Sequence, residues 1–155
     1  MTDAGVSTDV AIAVDGSVIA AVGPFDDMER EFPGAERVDC GGRIVTPGLV
    51  DSHTHAVFGR PRYEEQELRA AGAGYMEIAE QGGGIHSSVR DLRARSEEEL
   101  LQLARARMAR LVTYGATTVE IKSGYGLSLD DELKVLRVIA RLQDECNLRI
   151  VPTWL

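Results

Sequence analysis

At 155 residues the chain is long enough for one domain with a sizeable core, or for part of a larger one. Hydrophobic residues at 44% beside charged residues at 27% describe an ordinary folded protein and exclude a disordered one. The formal net charge of −8 argues against a nucleic-acid partner, because no basic patch would offset phosphate repulsion.

Cys40 and Cys146 lie far apart and fit no paired or zinc-ribbon spacing, which favours a reduced, cytosolic setting. The opening MTDAGVSTDVAIAVDG lacks a basic segment followed by a long apolar one, so no signal peptide is expected. Nothing approaches the roughly 20 apolar residues that cross a bilayer. A cytoplasmic protein with no membrane partner is expected.

In chain order, DVAIAV (residues 9–14) reads as a strand, Asp15-Gly16 as a hairpin signal, and SVIAAV (17–22) as the return strand closed by Gly23-Pro24. A polar stretch then leads to Arg37-Val38-Asp39 and the turn Gly41-Gly42. Residues 1–45 therefore read as a small β-rich domain segment without a catalytic cluster. From Ile44 the run IVTPGLVDSHTHAV is apolar enough for a buried strand, interrupted near its start by Pro47 and Gly48. Residues 64–81 favour a helix that Gly72 and Gly74 weaken or break, and Gly82-Gly83-Gly84 is a loop.

Ser96 and Glu99 form a capping box, after which Leu100, Leu103, Ala104, Met108 and Leu111 share one face until Gly115 ends the helix. ATTVEIKS (116–123) is β-branched and predicts a strand. Ser128 and Asp131 open a second helix with Leu129, Leu133, Leu136 and Ala140 on one stripe, and LRIVPTWL (148–155) predicts a third strand.

Strands alternating with helices at this spacing imply an α/β fold with a parallel sheet. No glycine-rich dinucleotide or phosphate-binding fingerprint follows the first of these strands. A (β/α)8 barrel takes about 250 residues, so residues 46–155 would supply about its first three strands.

His53 and His55 lie two apart, so on a strand they share a face. Two imidazoles at this spacing suit one Zn²⁺ or Fe ion, although a bare HxH occurs often by chance and by itself is better read as a hydrogen-bonded pair at a crowded strand end. Arg62 sits in the following loop, where a guanidinium fork could hold a carboxylate; an ordinary solvated arginine is the alternative, and the better reading for Arg60. Tyr125, between Gly124 and Gly126, could pack on a planar ring or simply anchor its loop. Tyr75 reads more readily as a packing residue. Glu120 and Lys122 share one face of their strand, opposite Val119 and Ile121, and are expected to pair. Asp51 could orient an imidazole or be a hydrogen-bonded carboxylate. His86, in the loop segment GGGIHSS, is the third histidine and the obvious candidate for a third ligand.

TPGLVDSHTHAVFG resembles the first barrel strand of the amidohydrolase superfamily. DCGGRIVTPGLVDSHTHAVFGRPR, AGAGYMEIAEQGGGI and TTVEIKSGYGLSLDDELKVLR resemble the imidazolonepropionase family, across roughly residues 10–155. The resemblance implies a metal-dependent hydrolase of 4-imidazolone-5-propanoate, giving N-formimidoyl-L-glutamate in histidine breakdown. It implies a (β/α)8 barrel beside a small β-sandwich domain and one Zn or Fe ion. It makes His53 and His55 the first two metal ligands, and Arg62, Tyr125 and, less directly, Tyr75 contacts to a small-molecule substrate.

The family's third histidine, aspartate ligand and general-base glutamate come from later strands. No catalytic residue is therefore expected within this chain, which reads as an N-terminal portion, inactive alone and prone to instability or association. A homodimer is left open for the complete protein. The alternatives are another amidohydrolase, such as a nucleobase deaminase, or a non-catalytic metal-binding module derived from the family.

Overall fold

The computed structural model describes residues 5–155, so Met1–Ala4, which the reading of the N-terminus includes, lie outside the described residues. The chain divides into two units, one ending at Val45 and one spanning Thr46–Leu155. Among the described residues no helix is long and apolar enough to cross a membrane.

In the first unit, β1 (Val10–Asp15) and β2 (Val18–Pro24) pair antiparallel, with Ile12 opposite Val22 and a register shift after Ala13. The expected hairpin forms, and its turn starts at Gly16. The polar stretch after it is not a connector, however: Phe25–Glu31 is a helix, α1. Its signals were present, since Pro24 precedes it, Asp26 and Asp27 meet the positive end of the helix dipole and Arg30 meets the negative end. This unit is therefore one two-stranded sheet with a helix, and no sandwich is seen among its described residues. Val14, Val18 and Ile19 stay more than 60% exposed, which leaves the hairpin little apolar burial of its own.

The second unit is a mixed α/β fold around a parallel sheet ordered β3-β4-β5: Leu49–Thr54, Ala116–Lys122 and Arg149–Thr153. Four helices join β3 to β4: α2 (Tyr63–Ala70), α3 (Tyr75–Glu80), α4 (Ile85–Ala94) and α5 (Glu97–Thr113). The break between α2 and α3 falls where Gly72 and Gly74 place it. The sequence reading missed α4, so His86 is not a loop residue but an exposed side chain in that helix's first turn. One helix, α6 (Leu129–Glu145), joins β4 to β5.

Both long helices begin as their sequences dictate. Ser96 Oγ accepts from the Glu99 N–H while the Glu99 carboxylate accepts from the Ser96 N–H, a complete capping box. Ser128 Oγ accepts from the Asp131 N–H. Leu100, Leu101, Ala104 and Met108 of α5 pack with Val135, Val138, Ile139 and Leu142 of α6 against Val119 and Ile121 of β4 and Ile150 of β5. Arg105–Glu145, Arg137–Glu97 and Arg141–Glu98 pairs rim this contact; being solvent-exposed, they contribute little to it.

Two expectations need correction. The buried face of α6 is not the Leu129–Leu133–Leu136–Ala140 stripe. Leu129 is 64% exposed and Ala140 is exposed, because the β-branched Val135, Val138 and Ile139, with Leu142, form the broader apolar arc. The run from Ile44 is also not a buried strand: Ile44, Val45, Leu49 and Val50 are all more than half exposed. β3 is an edge strand here, paired only with β4 among the described residues.

The corrected face makes a prediction for urea unfolding. Leu142→Ala should cost about 3 kcal/mol, as expected for a fully buried leucine, and Leu133→Ala less than about 1 kcal/mol. Equal losses would contradict this packing.

Candidate metal centre and substrate cleft

The site sits where the chain leaves β3 and β4, at the C-terminal ends of parallel strands. Thr54 closes β3 by donating its hydroxyl to the Glu120 carbonyl of β4 at 2.7 Å, which ties the end of the HTH segment to the sheet. His53 is exposed within β3; His55 lies one residue past its end and is half-buried. Their ring centroids are 5.7 Å apart, nearly edge-to-face at 75°. Tyr125, from the loop after β4, places its ring 4.9 Å from that of His55, tilted by 39°.

His55 Nδ1 is buried and has no hydrogen-bond partner. Burial first, and then the charge of His53, pull this imidazole below its ordinary value of 6.5, against the opposing influence of the Ser123 backbone and Glu120. The ring is accordingly neutral near pH 7, with one nitrogen lone pair available to a metal. A buried, unpartnered imidazole nitrogen beside a second histidine has the donor chemistry of part of a zinc or iron site. Among the described residues no cluster of three or more His, Cys, Asp or Glu side chains stands ready for a metal, so these two histidines fit as an incomplete ligand set.

A cleft of about 270 Å³ opens beside His55, and Phe58, Arg62, Ser88 and Tyr125 share its lining. Arg62 donates to Glu65 at 3.2 Å and keeps most of its five N–H donors for another partner. His53 and Tyr75 do not line this cleft; Tyr75 opens α3 and is 61% exposed. Glu120 and Lys122 pair with each other, and Lys122 holds the Glu120 carboxyl below the usual range. Asp51 accepts from the His53 backbone N–H at 3.4 Å, and no contact of its carboxylate with an imidazole is seen. The structure thus gathers His55, Arg62 and Tyr125, keeps His53 adjacent, and leaves Tyr75 and His86 apart.

The sequence reading missed the residues that hold this arrangement. Arg107, from α5, donates to the carbonyls of Ala56 (3.0 Å), Phe58 (2.6 Å) and Gly59 (2.6 Å), with its guanidinium 3.5 Å above the Phe58 ring centroid. Burial pushes its pKa down to about 10, which leaves it charged at neutral pH, and three carbonyl dipoles and a ring face replace lost water. Asp91, from α4, accepts from the Arg60 N–H and from Arg95, both at 2.8 Å. A Cβ on Gly59 would lie 1.4 Å from Asp91 Oδ2, so a side chain there would displace the carboxylate that bonds Arg60 and Arg95. One arginine among several in ARARMARL carries no local sign of this role, which depends on contacts about 50 residues away.

Replacing Arg107 with methionine keeps an apolar stem and removes every donor. The loss should be about 2–3 kcal/mol in urea unfolding, with faster amide exchange across residues 56–60. Unchanged exchange there would show that the loop is held by something else.

A family described as "Imidazolonepropionase-like composite domain, bacteria" matches residues 11–35. The imidazolonepropionase of Paracoccus denitrificans (strain Pd 1222) is 49% identical over 145 residues, 94% of this chain and 36% of the relative. That of Aeromonas salmonicida (strain A449) is 48% identical over 155 residues, all of this chain and 38% of the relative. That of Chloroflexus aggregans (strain MD-66 / DSM 9485) is 46% identical over 155 residues, all of this chain and 36% of the relative. The chain is therefore similar to imidazolonepropionases along its whole length, and spans little more than a third of the length of those it matches.

Proposed function

We propose that the chain is the opening portion of a cytoplasmic imidazolonepropionase, with residues 46–155 supplying the first three strands of a (β/α)8 barrel and residues 1–45 a segment of its small β domain. The reaction adds water across the cyclic amide C–N bond of 4-imidazolone-5-propanoate: the carbonyl carbon gains the hydroxyl, the ring nitrogen gains the proton, and N-formimidoyl-L-glutamate results. One observation carries this reading. His55, Arg62 and Tyr125, drawn from separate stretches of sequence, line one cleft.

Each of these side chains has a task suited to its chemistry. Arg62 clamps the propionate with N–H donors left over from its bond to Glu65. Tyr125 covers the planar ring and offers it a hydroxyl. His53 and His55 would hold part of a single Zn²⁺ or Fe ion, which when bound polarises the amide carbonyl and acidifies water. The net charge of −8 suits a small-molecule substrate better than nucleic acid. Further metal donors and a general base are required from outside this chain.

Zinc is the direct probe. Calorimetric titration of the 155-residue chain should give weak binding of one ion, abolished by His53→Ala; equal binding by both proteins would remove His53 as a ligand. Protons compete with the metal for imidazole, so affinity should rise with pH, and because the His55 pKa is lowered, its share of that competition should fade below the ordinary value of 6.5. In a longer polypeptide containing this chain and active on imidazolone propionate, Arg62→Ala should raise KM about 10–100-fold while kcat changes little. An unaltered KM would sink the carboxylate-clamp role.

A further inference from the structure

Tyr125 reaches His55 from a loop with no hydrophobic anchor of its own except the tyrosine ring. What fixes that loop is a carboxylate. Glu132, in the first turns of α6, is 5% exposed, and its two oxygens accept three backbone N–H groups: Oε2 from Gly124 at 2.7 Å, Oε1 from Gly126 at 2.7 Å and from Leu127 at 2.8 Å. All three donors flank Tyr125. The loop lies so close to the helix that a Cβ on Gly126 would stand 2.6 Å from Glu132 N and 2.7 Å from the Asp131 carbonyl carbon. Arg93, from α4, closes the outer side by donating to the Gly126 carbonyl at 2.7 Å. On the inner side, a Cβ on Gly124 would lie 3.5 Å from His55 Cε1, an ordinary van der Waals distance, so the same loop runs beside the imidazole.

A buried carboxylate with three backbone donors and no cation on it is costly unless each acceptance counts, because charge-assisted bonds must offset its desolvation. Packing alone would place an apolar residue here: the next positions along the same buried side of the helix, Val135 and Ile139, are apolar and fully buried. We propose that Glu132 is a positioning residue for the cleft: its carboxylate sets the 124–127 backbone, and through it the Tyr125 ring, against His55. This deepens the proposed function, since Tyr125 and His55 matter as a pair only if the cleft takes a planar ring beside a metal. Glu132 touches neither residue's side chain, so its effect on the site is indirect.

Glu132→Gln tests it with minimal change in volume, because the amide nitrogen must meet at least one backbone N–H that formerly met oxygen. Two-dimensional NMR of the chain reads the result. Amide exchange at Gly124, Gly126 and Leu127 should accelerate at least about tenfold, and the nuclear Overhauser contact between the Tyr125 and His55 rings should weaken, while far-ultraviolet circular dichroism stays unchanged. Glu132→Asp, which keeps the charge, should recover part of both signals. Intact exchange protection and an intact ring contact in Glu132→Gln would overturn the proposal.

If Glu132→Gln does not fold, Gly126→Ala, which pushes the loop off α6 without touching the carboxylate, is read in the same two ways, with the same overturning result. Zinc titration of the wild-type chain separates the two ideas. A chain that binds no zinc yet loses the ring contact in Glu132→Gln refutes the metal reading and keeps the positioning role.

Discussion

The grip of Arg107 on three backbone carbonyls between Ala56 and Gly59 is the interaction on which the second unit's site depends. β3 is exposed on much of its surface and paired on one side only among the described residues, so the strand itself cannot dictate where the chain goes after Thr54. Arg107 does, from a helix 17 residues long whose opposite flank is locked into the core. A lysine could place a charge there but could not present a planar fork to the carbonyls of Ala56, Phe58 and Gly59 while stacking on Phe58. With this turn fixed, His55 stays at the end of the sheet and Arg62 reaches back over the cleft.

The loop after β4 follows the same construction with the charge reversed. A cationic side chain of α5 gathers carbonyls after β3, and an anionic side chain of α6 gathers N–H groups after β4. In both cases a helix that follows the strand supplies the restraint, and it acts on the loop's backbone. The apolar core between α5, α6 and the sheet supplies the rigid frame, and these two charges transmit its rigidity to the loops.

Much of this architecture was legible in the sequence where the signal is local. Ser96 with Glu99, Ser128 with Asp131, the β-branched ATTVEIK and the Gly72/Gly74 break each act within a few residues, and each appears where its chemistry puts it. The face of α6 was misjudged because leucine at 129 and 133 outweighed the valines and isoleucine that the neighbouring helix and sheet select. Helix α1 was overlooked because Phe25–Glu31 carries one strongly apolar residue at its start and little periodicity. HTH, GRPR and SGYG drew attention to His53, His55, Arg62 and Tyr125, whereas Arg107, Asp91 and Glu132 sit in ordinary charged helical sequence and acquire their roles only from the loops packed on them.

The triple acceptance by Glu132 bears on when conformational freedom is lost. Fixing a backbone residue costs about 1–2 kcal/mol of entropy, and the 124–127 loop contains glycines, which have the most freedom to lose. Because its N–H groups are already satisfied by a carboxylate inside the same unit, that loss occurs as the chain folds. A molecule entering the cleft then meets a tyrosine already in place, and its binding free energy is not drawn down by ordering the loop around it.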